Sequence, residues 1–139
     1  MKTIFEKIRD REIPSYMVYE DEVVMAFLDI TQATKGHTLV VSKKAYKDFL
    51  QTPIDVLSHM TFVSKKVMAA LQSLFEPKGF NLLNNLGAVA GQTIFHVHFH
   101  IIPRYQSDDV TFAFHPKNNP SETDFSDLFQ SLKLALSKT

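Results

Sequence analysis

Between His96 and Ile102 the chain alternates strictly: His96, His98 and His100 are separated by Val97 and Phe99 and followed by Ile101-Ile102. A period of two is the mark of a strand with one buried face. Same-face side chains on a strand stand roughly 6.6–7 Å apart. Three imidazoles would therefore line one face while Val97, Phe99 and Ile101 turn to a core. Phe95 is expected on that core face, and Pro103 is expected to end the strand. Half of the six histidines fall in five residues, which a merely hydrated sheet face does not require.

The 139 residues suit one domain over 1–139, with a core at about 3–105 and a C-terminal extension with a helix over about 106–139. Lys+Arg and Asp+Glu both number 15, so there is no electrostatic footprint for nucleic acid or an anionic membrane. A single phosphorylated small molecule is not excluded by that balance. Cysteine is absent, which removes disulfides, thiol nucleophiles and thiolate metal sites. No apolar run reaches the roughly 18–20 residues of a bilayer span. Met1–Lys7 lacks the apolar stretch of a secretory signal, so the expected location is cytoplasmic.

Thr3 is placed to cap a helix over Ile4–Arg9, with Ile4, Phe5 and Ile8 on one stripe. Tyr16–Tyr19 and Val23–Leu28 read as two strands of a hairpin turned at Glu20-Asp21-Glu22. A loop over Asp29–Gly36 leads to a strand at His37–Ser42, with His37, Leu39 and Val41 on one face. Thr52-Pro53-Ile54-Asp55 reads as a helix start with Thr52 as N-cap and Pro53 at the first position. Leu57, Met60, Ser64, Val67, Leu71 and Leu74 give that helix its stripe, and Glu76-Pro77-Lys78-Gly79 stops it. A strand at Phe80–Asn84 and a small-residue loop over Asn85–Gln92 lead into the His strand. After an irregular 108–120 stretch, Ser121-Glu122-Thr123-Asp124 caps a last helix striped by Phe125, Leu128, Leu132 and Leu136. The fold class is α+β: mostly antiparallel strands, one long helix on the core face, and helices at both ends.

Two chemistries suit aligned imidazoles. Zinc could bridge neighbouring strand histidines at about 2.0–2.1 Å, but His96 and His100 lie roughly 13 Å apart along a strand. A metal would need two of the three together with His37 or a carboxylate. The alternative is attack on phosphorus: neutral imidazole is a good nucleophile, and an ordinary pKa near 6.5 leaves it neutral at cellular pH. Asn85, Gly87, Gly91, Gln92 and Thr93 then offer amides, a hydroxyl and close backbone approach to an anion.

The segment His96–Ile102 resembles the His-φ-His-φ-His-φ-φ signature of the histidine-triad (HIT) superfamily of nucleotide hydrolases and transferases. Ile4-Phe5-x-Lys7-Ile8, Glu12-Ile13-Pro14, Tyr19-Glu20-Asp21, Ala26–Ile30, Gly36–Val40, Ala90–Thr93 and Ile102-Pro103-Arg104 resemble its bacterial branch. The resemblance implies a HIT-like fold with a five-stranded antiparallel sheet, paired into a homodimer. It implies a nucleotide hydrolase, with His98 as nucleophile on the α-phosphorus and a nucleotidyl-imidazole (AMP-type) intermediate. His98's other ring nitrogen would donate to a main-chain carbonyl, for which that of His96 is nearest. By the same resemblance His100 contacts the phosphate, and His96 and His37 support. Asn85, Gly91, Gln92 and Thr93 bind phosphate or the leaving group. Asp29 holds the ribose, and Ile4, Phe5, Ile8, Phe27, Ile30 and Leu39 make the base pocket. Purine nucleoside phosphoramidates are the favoured substrates. The alternatives are dinucleoside polyphosphates or a non-catalytic nucleotide-binding module. Arg104 is a candidate contact to a distal phosphate. No cofactor is expected. The Cys pair and His that hold zinc in many relatives correspond to Thr3, Glu6 and Ala45, so no structural zinc is expected. Ser42 stands at a frequent Pro.

Overall fold

The computed structural model describes residues 1–116 and 119–139, so the part of the irregular 108–120 stretch at Lys117 and Asn118 lies outside the described residues. Helix α1 (Ile4–Arg9) is followed by strands β1 (Met17–Glu20), β2 (Val24–Leu28) and β3 (Thr38–Ser42). Helix α2 (Ile54–Phe75), strands β4 (Gly79–Leu83) and β5 (His98–Arg104), and helix α3 (Glu122–Leu136) complete the order. The strands form one five-stranded sheet, β1-β2-β3-β5-β4, with every neighbouring pair antiparallel. Asp21 makes the first hairpin possible, because its Oδ1 accepts from the amides of Val23 and Val24.

Alternation gives the sheet two apolar faces. On one, Val24, Ala26, Val40, Val97, Phe99 and Ile101 meet Leu57, Met60, Val63, Val67 and Leu71 of α2. On the other, Met25, Phe27, Leu39 and Val41 are covered by Phe5 and Ile8 of the short helix α1. The register carries two rows across this second face: Met25 opposite Val41 opposite His98, and Phe27 opposite Leu39 opposite His100. An isolated helix of 6 residues is not stable in water. Here α1 is held by the reciprocal capping box of Thr3 and Glu6 and by burial of Phe5.

Four sequence expectations give way. Phe95 is 44% exposed rather than in the core, because β5 starts two residues after the first histidine. The chain before it is tied to the 46–47 loop instead of a ladder: the Val97 amide donates to the Tyr46 carbonyl at 2.7 Å. Pro103 does not end the strand. It pairs with Phe80 of β4, and its missing N–H falls on the side where β3 has already stopped. Its carbonyl on that side accepts from the Thr34 hydroxyl at 2.6 Å. Pro53, not Thr52, is the N-cap residue of α2; the Thr52 hydroxyl instead donates to the Asp48 carbonyl. Leu74 is 71% exposed and lines a groove of about 560 Å³ beside Val18, Leu28 and Phe75, while Val63 is the buried member the stripe missed. The stripe of α3 is present, but Phe125, Leu128, Phe129, Leu132 and Leu136 all stand exposed. Among the described residues no helix is long and apolar enough to cross a membrane.

Gly36 sets up the entry to β3 with φ +96°, and a Cβ there would lie 2.8 Å from Leu71 Cδ2 and 3.3 Å from Pro103 Cγ. Left-handed strain and overpacking then act together. Gly36→Ala is expected to destabilise the fold by about 2 kcal/mol or more, read as a lower urea midpoint with an unchanged m-value. A midpoint equal to wild type would contradict this packing.

Candidate active site

The start of β5 brings four imidazoles together, and their hydrogen bonds fix where each proton sits. His98 Nδ1 lies 2.7 Å from the His96 carbonyl. A carbonyl only accepts, so Nδ1 carries the hydrogen and Nε2 keeps a free lone pair. His96 Nε2 lies 2.6 Å from the Ser42 carbonyl and therefore donates, leaving Nδ1 to accept from the Thr3 hydroxyl at 2.7 Å. The Ala33 amide donates to His37 Nδ1 at 3.1 Å. His37 then has its hydrogen on Nε2, which donates to His100 Nδ1 at 3.0 Å. That leaves the His100 hydrogen on Nε2, free to point at an anion. The group offers one lone pair at His98 and one donor at His100, with ring centroids 5.1 Å apart.

Burial keeps the cluster neutral. Desolvation pushes His37, His96 and His98 below the ordinary imidazole value, against the raising influence of the Ser42 and His96 carbonyls on the latter two and of Asp29 on His37 and His98. His100 falls furthest, to about 4, through burial and then through repulsion from His98 and His37. Phe5 packs edge-on against His96 and His98, with centroids 5.4 and 5.0 Å away. Asp29 directly follows β2 and accepts on Oδ1 from the Thr31 amide and hydroxyl. Burial raises its pKa, but those bonds and the nearby His37 and His100 outweigh it, so the carboxyl stays below its ordinary value.

Asp29, His37 and His100 each offer an atom within 4.8 Å of the others, the set a metal reading asks for. Binding there would require a lone pair on His37 Nε2 while Nδ1 still accepts from Ala33. His37 would have to become imidazolate or give up that bond. The two imidazoles are instead satisfied by their mutual bond, with Asp29 Oδ2 3.6 Å from His37 Nε2.

The other candidates divide by how far they are engaged. Gln92 is buried; its Oε1 accepts from the Gly87 amide and its Nε2 donates to the Lys47 and Ile94 carbonyls. Its side chain holds the loop and has nothing left for an anion. Gly91, with φ +100°, closes a 3₁₀ turn over Ala88–Ala90, and a Cβ there would lie 3.3 Å from Asn85 Nδ2. Thr93 is exposed and free to turn to a ligand. Phe5, Ile8, Phe27 and Leu39 belong to the core cluster under the triad, whereas Ile4 and Ile30 are 46% and 84% exposed. The apolar residues expected to form a base pocket are therefore mostly core, with free surface at Ile4 and Ile30. Arg104 is not available to a ligand: its guanidinium is bound by Asp109, the Asn81 side chain and the carbonyls of Gln106, Ser107 and Val110. Sequence reasoning missed Asn84, whose Nδ2 donates to the His98 carbonyl at 3.1 Å. The register of β4 on β5 carries that signal, since Leu83 faces His100. It also missed His59, which bonds Asp21 at 2.6 Å and ties α2 to the first hairpin.

The HIT domain family matches residues 10–107, most of the chain. The chain belongs to the HIT domain family. An uncharacterised HIT-like protein of Methanocaldococcus jannaschii is 52% identical over 112 residues, covering 80% of this chain and 85% of that protein. The adenylylsulfatase HINT3 of Arabidopsis thaliana is 38% identical over 105 residues, 76% of this chain and 53% of that protein. Among solved structures, a HIT family protein of Bacillus anthracis superposes with TM-score 0.87 at 41% identity, covering 96% of both chains. A histidine triad nucleotide-binding protein of Candida albicans gives 0.87 at 32% identity, covering 99% of both. The expected HIT-like α+β fold, with its five-stranded antiparallel sheet, is the one observed. In this HIT domain the three signature histidines divide between a bend, which holds His96, and β5, which holds His98 and His100.

Proposed function

We propose that this HIT protein hydrolyses purine nucleoside phosphoramidates at the α-phosphorus through a covalent nucleotidyl-His98 intermediate. The observation that carries the reading is the bond from His98 Nδ1–H to the His96 carbonyl, which presents a neutral Nε2 lone pair as nucleophile. Nε2 attacks phosphorus, an N–P bond forms, and the P–N bond to the leaving amine breaks; the amine departs with a proton taken from a donor on the solvent side. Water then attacks phosphorus, the His98–P bond breaks, and nucleoside monophosphate is released. His100 Nε2–H serves the phosphate oxygens as charge develops on them, and the exposed Thr93 hydroxyl serves the leaving group. Asp29 Oδ2, which no amide or hydroxyl occupies, serves the ribose hydroxyls.

The family's relatives support a nucleotide ligand, as the name of the Candida albicans protein does for itself. Dinucleoside polyphosphates are less favoured because Arg104, the cation at the strand end, is already saturated. A cytoplasmic homodimer belongs to the same reading. The exposed stripe of α3 is apolar surface that water tolerates poorly, and light scattering should give twice the chain mass. The functional test compares an adenosine phosphoramidate with an aryl amine leaving group against diadenosine tetraphosphate, each with and without chelator. Faster turnover of the phosphoramidate, insensitive to chelator, is expected. Faster cleavage of the dinucleotide would overturn the substrate class, and tight binding without turnover of either would make the protein a binding module.

A further inference from the structure

We propose that Thr3 is a positioning residue for His98, acting through His96, and that the cap of α1 and the catalytic strand are one hydrogen-bonded unit. Thr3 Oγ1 accepts from the Glu6 amide at 3.0 Å, as an N-cap does. The same oxygen lies 2.7 Å from His96 Nδ1, across 93 residues of sequence. A hydroxyl has one hydrogen and can accept as well. Since Oγ1 accepts from Glu6, its hydrogen is free to go to His96.

His96 has no exposed surface, so neither ring nitrogen can turn to water. Nε2 must donate, because the Ser42 carbonyl 2.6 Å away can only accept. Nδ1 must then accept, and Thr3 supplies the matching donor. The reversed ring would set a lone pair against the Ser42 carbonyl and an N–H against the Thr3 hydroxyl. Thr3 thus fixes the orientation of residue 96, whose own carbonyl receives the His98 Nδ1–H at 2.7 Å. Losing that carbonyl's alignment would let the His98 hydrogen move to Nε2 and quench the nucleophile. Phe5, in the first turn of α1, packs edge-on against both rings, with centroids 5.4 and 5.0 Å away, so the helix that Thr3 caps also covers the pair.

The catalytic part of this inference rests on His98 being the nucleophile. The test separates capping from donation. Thr3→Ser keeps both; Thr3→Asp can still cap but has no proton to give at neutral pH; Thr3→Val does neither; Glu6→Ala damages the capping box and leaves the Thr3–His96 bond. Turnover of the adenosine phosphoramidate is measured for each, together with the His98 tautomer by two-bond ¹H–¹⁵N correlation and the melting temperature. Thr3→Ser is expected to match wild type, and Glu6→Ala to lower the melting temperature at unchanged kcat. Thr3→Asp and Thr3→Val are expected to lose about tenfold or more in kcat with little change in KM. In both, the His98 resonances shift from pure Nδ1–H toward a tautomer mixture. For Thr3→Asp the carboxylate beside His96 also moves the acid limb of kcat to higher pH. If Thr3→Asp and Thr3→Val keep wild-type kcat and tautomer while melting earlier, Thr3 is a helix cap only and the inference is wrong. If wild type does not turn over, the proposed function fails, but the tautomer comparison still decides the positioning role.

Discussion

His98→Ala is expected to lower kcat on an adenosine phosphoramidate by about 10⁴-fold or more, the scale of removing a covalent nucleophile. The loss is chemical, because the groups assigned to binding stay in place: Asp29 and His100 make no hydrogen bond to His98. The nucleotide Kd should therefore remain within a few-fold. The fold should survive too. Truncating one buried ring against Phe5 costs about 2–3 kcal/mol, a part of the 5–15 kcal/mol typical of a domain. Stopped-assay rates and a urea titration on the same preparation measure both. A variant that keeps a tenth of wild-type kcat would remove His98 from the chemistry.

Acid should weaken the protein before its carboxylates titrate. His37, His96, His98 and His100 all lie below the ordinary imidazole value in the fold, His100 at about 4. In the unfolded chain they titrate near 6.5. Between those values the unfolded state holds more protons, so unfolding free energy rises with pH and falls as pH drops. The stability these groups contribute is complete above about 6.5 and is lost through the window that for His100 extends to about 4. Asp10, Asp21, Asp29 and Asp109 are also lowered and act with the same sign, but from the ordinary aspartate value of about 3.9, at lower pH. The urea midpoint should therefore already fall between pH 6.5 and 5, and a His100→Asn variant should show a shallower fall. The acid limb of kcat/KM should also lie below the ordinary imidazole value, since His98 is needed neutral. A midpoint that holds steady or rises over that interval would contradict the neutral, buried cluster.

The strands and the faces they present were legible because they depend on period, whereas the candidate site was read from its resemblance to a family signature. Alternation in His98–Ile101 and in Leu39–Val41 assigns faces without any coordinates, and both assignments appear in the register. The Thr3–Glu6 and Ser121–Asp124 caps were legible because capping is a local rule. What escaped depends on contacts between distant segments. Phe95 and His96 leave the strand because Tyr46 and Gln92 hold that stretch elsewhere. Gln92 reads as a ligand-facing amide until its three partners are seen, and Arg104 reads as a spare cation until Asp109 and Asn81 close around it. A base pocket and a hydrophobic core use the same residues, so Phe5, Phe27 and Leu39 could not be divided between them by pattern alone.

The most direct check of the central claim is the mass of the protein quenched during turnover of a slow adenosine phosphoramidate, followed by peptide mapping at neutral pH. Addition of one adenylyl group, acid-labile, located on His98 and absent from His98→Ala, is the expected result. Turnover with no adduct at any quench time, or an adduct on another residue, would contradict it.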